Sequence, residues 1–181
     1  QLASKPMCRG ALITIPCNTW SAARMANDGG PGPLRDCDHP RGIPGPDGRP
    51  HPSVLTANAI ADNAVAVADI ILDGTGEVVF ENPVERSAGS PFAISGRERH
   101  SSLWEYPPMA ALVKRRHLRA TIFDQCRVGA ASQKTTKLLS SPGIHQHVHR
   151  RLSPLICNHA PGEHGTVLSA DGVTFHTKSS E

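Results

Sequence analysis

One segment constrains the fold more than any other. It reads VLTANAIADNAVAVADIILDG and lies between Ser53 and Gly74. Val54, Leu55, Ala59, Val65, Ala66 and Ile70 recur at roughly helical spacing. Ser53 suits an N-cap and Gly74 a C-cap, so the segment reads as one helix. A short apolar run precedes it at residues 11–15, bounded by Gly10 and Pro16. Another follows at residues 77–80 and is expected to stop at Glu81-Asn82-Pro83, because proline lacks an N–H and restricts the residue before it. A second helix is predicted over residues 106–116, with prolines in its first turn. LRATIFDQ gives a third strand, CRVGAASQ turns, and KTTKLLSS gives a fourth. Strands alternating with helices predict an α/β fold with a mainly parallel sheet and flanking helices. In such sheets reacting groups collect at the carboxyl ends of strands. Cys17, Glu81 and Asp124 each fall just past a predicted strand end, which would bring them to one crevice.

Between the first strand and the first helix, residues 27–52 are too rich in Gly and Pro for a regular element. A loop of that length inside a compact domain is usually functional or disordered. The 181 residues suffice for one domain with a real core. A net charge of +3, with no dense Lys/Arg block, permits a polyanionic partner such as DNA without demanding one. No apolar run approaches the roughly 20 residues of a membrane helix, and no signal-peptide layout is visible. A start at Gln1 rather than Met suggests a fragment or a processed product. The five cysteines are odd in number, irregular in spacing and without a CxxC pair, which fits a reducing, intracellular setting, nuclear or cytoplasmic. From Pro142 onward the chain is rich in histidine with weak periodicity. We therefore divide it into an α/β domain over residues 1–141 and an irregular tail over 142–181.

Three landmarks follow the strands in order: IPCNTWS, ENP, and GAASQKTTK, which carries Gly129, Gln133 and Lys137. Together they resemble the C5-cytosine DNA methyltransferases, which carry Pro-Pro-Cys-Gln-x-Phe-Ser, Glu-Asn-Val and Gln-x-Arg-x-Arg in that order. The resemblance covers roughly residues 10–140 and implies the second half of a class I methyltransferase fold. It implies that Cys17 adds to cytosine C6 as a thiolate and that Glu81 binds N3 and the amino group. Lys137 would hold the base, and Gln133, Asn18, Ser21 and Arg24 would line the substrate side. The segment after the cysteine would be the loop that closes on DNA, over a base flipped out of the duplex. Ile15, Asn18, Pro83, Thr135 and Lys137 depart from the family's motifs, and lysine lacks the bidentate fork of arginine. The methyl donor would be S-adenosylmethionine. The family's aromatic-x-Gly-x-Gly turn for that cofactor does not precede Cys17, so the expectation is a substrate half whose cofactor half comes from a partner chain or has been lost.

Plainer readings stand beside these. Cys17 alone would be a small buried residue. Glu81 could be a solvated acid, and Trp20 and Arg24 could simply pack and solvate. Asn82-Pro83 also suggests the Asn-Pro-Pro-aromatic motif of amino-methyltransferases, but Val84-Glu85 does not complete it. Asp124-Gln125-Cys126 reads best as a turn with a buried cysteine. His145, His147, His149, Cys157, His159 and His164 offer donors of the type zinc takes, yet their spacing is not that of a standard finger. Histidine at every second residue also suits an exposed strand or loop, so no metal is assigned from the sequence. The competing functional classes are a non-catalytic remnant of mobile-element origin that binds nucleic acid or protein, and an unrelated α/β domain that binds a small ligand or metal.

Overall fold

The computed structural model describes residues 8–25, 32–160, 163–164, 167–168 and 174–175. Strand β1 (Gly10–Thr14) leads through helix α1 (Pro52–Asp73) to β2 (Glu77–Pro83). Helix α2 (Pro107–Arg116), β3 (Arg119–Asp124), β4 (Thr135–Ser140) and α3 (Pro142–Leu152) follow. A small antiparallel pair, β5 (Val167–Leu168) and β6 (Thr174–Phe175), comes last.

The main sheet has the order β1-β2-β4-β3. β1 and β2 are parallel, and β4 is antiparallel to both β2 and β3, so the sheet is mixed. Three strands share one direction and β4 returns between two of them. The reason is chain length. Only residues 125–134 separate β3 from β4, which is enough for a tight return but short of a helical crossover.

α1 packs on β1, β2 and α2. Its buried stripe is built of Val54, Ala57, Ala61, Ala68 and Ile71, and the alanines let the helix approach Val78 and Phe80 closely. Met109 and Leu112 of α2 complete this core with Trp20, Leu103 and Tyr106. The cap differs from expectation. His51, not Ser53, is the N-cap residue, and its Nδ1 accepts the Ser53 N–H at 3.2 Å with Pro52 opening the helix. At the other end Gly74 has φ −82°, and Thr75 takes the left-handed turn at φ 62°. Gly76 is required for another reason: a Cβ there would lie 2.6 Å from Ile71 Cγ2. α1 is also long and apolar enough to cross a membrane, contrary to the sequence expectation, but its stripe is buried against the sheet.

Two further expectations are corrected. β2 does not stop at Phe80 but runs on to Pro83, which places Glu81 and Asn82 inside the strand. β1 pairing ends at Thr14 with Glu81, so β2 has no β1 neighbour beyond that point and the missing proline N–H costs no ladder bond there. The start of the histidine-rich tail is a helix rather than an irregular segment. In α3, Pro142 opens the first turn after Ser141, and His145 and His149 stack at helical spacing with ring centroids 5.3 Å apart. They meet the sheet through Ser140 and Thr121, whereas His147 has no hydrogen bond to the sheet among the described residues.

Candidate functional site at the carboxyl edge of the sheet

β1, β2 and β3 all end at one edge, and the candidate residues lie along it. Beyond Thr14 the chain is held in place by Asn82, whose Nδ2 donates to the Ile15 carbonyl at 2.7 Å. Cys17 follows, half-buried and free, and its carbonyl accepts the Trp20 N–H at 2.9 Å. Trp20 is only 1% exposed, which decides between its two readings: it packs. It meets Tyr106 edge-on at 5.0 Å, and the Arg35 guanidinium lies 3.4 Å from its ring centroid. The Trp20 carbonyl is bonded to His100 Nε2 at 2.8 Å. Arg24 is folded back onto the same turn, donating to the Asn18 carbonyl at 2.7 Å and the Gly32 carbonyl at 3.2 Å. Ser21 Oγ accepts the Ala23 N–H.

The long loop is fastened from within. Arg35 donates to Thr19 Oγ1, the Pro40 and Val54 carbonyls and Asn58 Oδ1. Burial lowers its pKa to about 10. Arg99 bridges Asp36 and Asp38 at 2.7 Å each. Burial raises the Asp36 carboxyl, but hydrogen bonds from Arg99 and His39 outweigh that and bring it down to about 2. Residues 26–31 of the loop lie outside the described residues. Nothing in the sequence singled out Arg35, which is one of three arginines, with Arg41 and Arg49, in the same turn-forming run.

Glu81 points away from the α1 core. Its register partners are Thr14 and Leu138, whereas Lys137 is registered with Asn82, so Glu81 and Lys137 leave opposite faces of the sheet. The groups that reach Glu81 Oε1 are Lys134 Nζ at 3.3 Å and Gln125 Nε2 at 3.5 Å. Lys137 is instead ion-paired with Glu85 and lies 5.8 Å from the Trp104 ring centroid. Gln133 is half-buried and makes no side-chain hydrogen bond among the described residues. The lysine and glutamine beside the acid are therefore not the pair the motif suggested. Cys17 and Glu81 share the carboxyl edge but form no hydrogen bond with each other among the described residues.

Asp124 ends β3 and is 2% exposed. It accepts Thr135 Oγ1 at 2.6 Å and the Cys157 N–H at 2.7 Å, and its own N–H donates to the Leu155 carbonyl. One carboxylate thus ties the segment after α3 to the end of β3 and the start of β4. That turn, Gln125–Val128, closes at Gly129 with φ 99° and carries Cys126. Cys126, Cys157, His159 and His164 converge there, with donor atoms all within 4.8 Å of one another. Cys157 Sγ lies 3.4 Å from His159 Nδ1 and 3.3 Å from His164 Nε2. Burial and then the bond with Cys157 push the Cys126 thiol up. In the sequence alone Cys157, His159 and His164 stand out as donors, whereas Cys126 reads as a buried residue in a turn. His145, His147 and His149 belong to α3 and are not part of the cluster.

Comparison with known protein families, with characterised proteins and with solved structures finds no match to this chain.

Proposed function

We propose that the carboxyl edge is the base-binding half of a cytosine-C5 methyltransferase-like domain, with Cys17 as the nucleophile and DNA as the substrate. The observation that supports this most is the sheet: three strands in one direction, with the last strand returning antiparallel between its two predecessors. That is the arrangement of the second half of a class I methyltransferase sheet. Asn82 adds to it, because its side chain holds the backbone that presents Cys17. In this reading S-adenosylmethionine supplies the methyl group. The aromatic-x-Gly-x-Gly turn that holds it in this family does not occur in the sequence, so no step is derived through it.

What the chain's own residues can perform is reversible addition. The Cys17 thiolate forms a bond to C6, and the C5–C6 π pair moves to C5, which takes a proton from solvent. Hydrogen bonding from Glu81 at N3 lowers the barrier by stabilising charge on the ring. Reversal removes the original C5 hydrogen and restores thiolate and base. The test needs no methyl donor: incubate the full chain with a cytosine-containing single strand in deuterated water and follow C5 deuteration. The reading predicts exchange that is lost in Cys17→Ser and reduced about 100-fold or more in Glu81→Gln. Absence of exchange in the wild type, or exchange that survives Cys17→Ser, overturns it. Binding of the strand without exchange would favour a non-catalytic remnant.

A further inference from the structure

We infer that Cys126, Cys157, His159 and His164 form a structural zinc site that clamps the segment after α3 onto the end of β3. This inference does not rest on the proposed function. The donor set is two sulfurs and two imidazole nitrogens, the composition of closed tetrahedral zinc sites. Zinc holds sulfur near ~2.3 Å and nitrogen near ~2.0–2.1 Å, so the sulfur–nitrogen edges of a regular tetrahedron are about 3.5 Å. The two sulfur–nitrogen distances at Cys157 are 3.4 and 3.3 Å, which fits.

The surroundings favour a cation rather than chance proximity. The ligands come from two separate places: Cys126 from the turn after β3, and the other three from the stretch after α3. Asp124, which ends β3 two residues before Cys126, accepts the Cys157 N–H and so orients the second of them. The Glu163 N–H donates to the Ala160 carbonyl, and both histidines face the Cys157 sulfur. Their rings meet edge to face at 5.0 Å. Apart from the hydrogen bonds with Asp124, the segment has little to hold it. Residues 153–160 expose most of their side chains and contribute nothing to the main core, so a metal supplies what apolar burial does not. Zinc binds the deprotonated thiols, and loading releases the protons of Cys126 and Cys157 to solvent. The clamp also braces Gln125, which neighbours Cys126 and reaches Glu81.

The test is metal content and cobalt spectroscopy on the full chain. Purified under reducing conditions, the protein should carry about one zinc per chain. Cobalt exchanged into it should give the intense visible bands of a tetrahedral site together with sulfur-to-cobalt charge transfer. His164→Ala and Cys157→Ser should each weaken metal binding by about 100-fold or more, while the triple change of His145, His147 and His149 to alanine keeps it. If the cysteine variants do not fold, the wild-type cobalt spectrum still decides. A pale six-coordinate spectrum, a protein without metal after zinc loading, or a Cys126–Cys157 disulfide in its place overturns the inference.

Discussion

Cys17 and Cys126 stand at matching places, each a short step beyond the carboxyl end of a strand, yet their surroundings differ in kind. Around Cys17 the polar partners are backbone groups, and the strong contacts belong to neighbours: Asn82 on Ile15, Trp20 on Tyr106 and Arg35. Around Cys126 the partners are three other side chains of types that ligate metals. A thiol held by its backbone and left uncommitted is free to react. One that meets a second thiol and two imidazoles is committed to them. The same sheet edge thus carries one cysteine suited to chemistry and one suited to architecture.

The largest effect that would sharpen this contrast comes from the packing beneath Cys17. Trp20→Ala removes a fully buried ring and should cost about 3–5 kcal/mol in chemical denaturation. A loss below about 1 kcal/mol would mean that the turn is not anchored by its core side. On the other thiol's side, Asp124→Ala removes buried charged hydrogen bonds to Thr135 and Cys157. It should cost about 2–3 kcal/mol and loosen metal binding about 10- to 100-fold, read by competition with a chromogenic chelator. If stability falls while metal affinity stays fixed, Asp124 does not orient the ligands. Asn82→Ala leaves the Ile15 carbonyl unpaired, should cost about 1–2 kcal/mol and should quicken alkylation of Cys17 but not of Cys126.

The smallest effect is a pH dependence through His100. Burial lowers this imidazole below its usual 6.5. Nδ1 accepts the Arg86 N–H at 3.0 Å, so the neutral ring carries its proton on Nε2 and donates it to Trp20. Glu105, Arg86 and Arg97 are the charged groups that act on it. The unfolded chain takes up the extra proton more readily. The stability His100 contributes is therefore complete above about pH 6.5 and is lost as pH falls through the folded value, by up to about 1.4 kcal/mol per pH unit. Melting temperatures of wild type and His100→Gln should diverge in that window. Parallel curves would contradict the assignment.

Much of the fold was legible because apolar spacing is local. The α1 segment, the four strands and α2 could all be read from periodicity and from proline and glycine punctuation. The strand reversal at β4 was legible only in the length of residues 125–134, which is short of a helical crossover, and the alternation of strands and helices elsewhere in the chain masked it. Histidine at every second position suited an exposed strand or loop, but Pro142 after Ser141 started a helix that placed His145 and His149 against the sheet. Within the site, order along the chain led to Cys17 and Glu81. It did not reveal that strand alternation sends Lys137 to the other face from Glu81. The Cys126 cluster was illegible for a deeper reason. Its ligands are separated by an entire strand and helix, and only the folded topology brings position 126 to positions 157–164.

The distinction between the two thiols can be measured directly. The zinc-loaded chain is treated briefly with iodoacetamide, with and without prior chelation, and each cysteine is followed by peptide mass spectrometry, using exposed Cys37 as the internal reference. The account predicts that Cys17 alkylates regardless of metal, while Cys126 and Cys157 are protected until the chelator is added. Alkylation of all three at rates that ignore the chelator would contradict it.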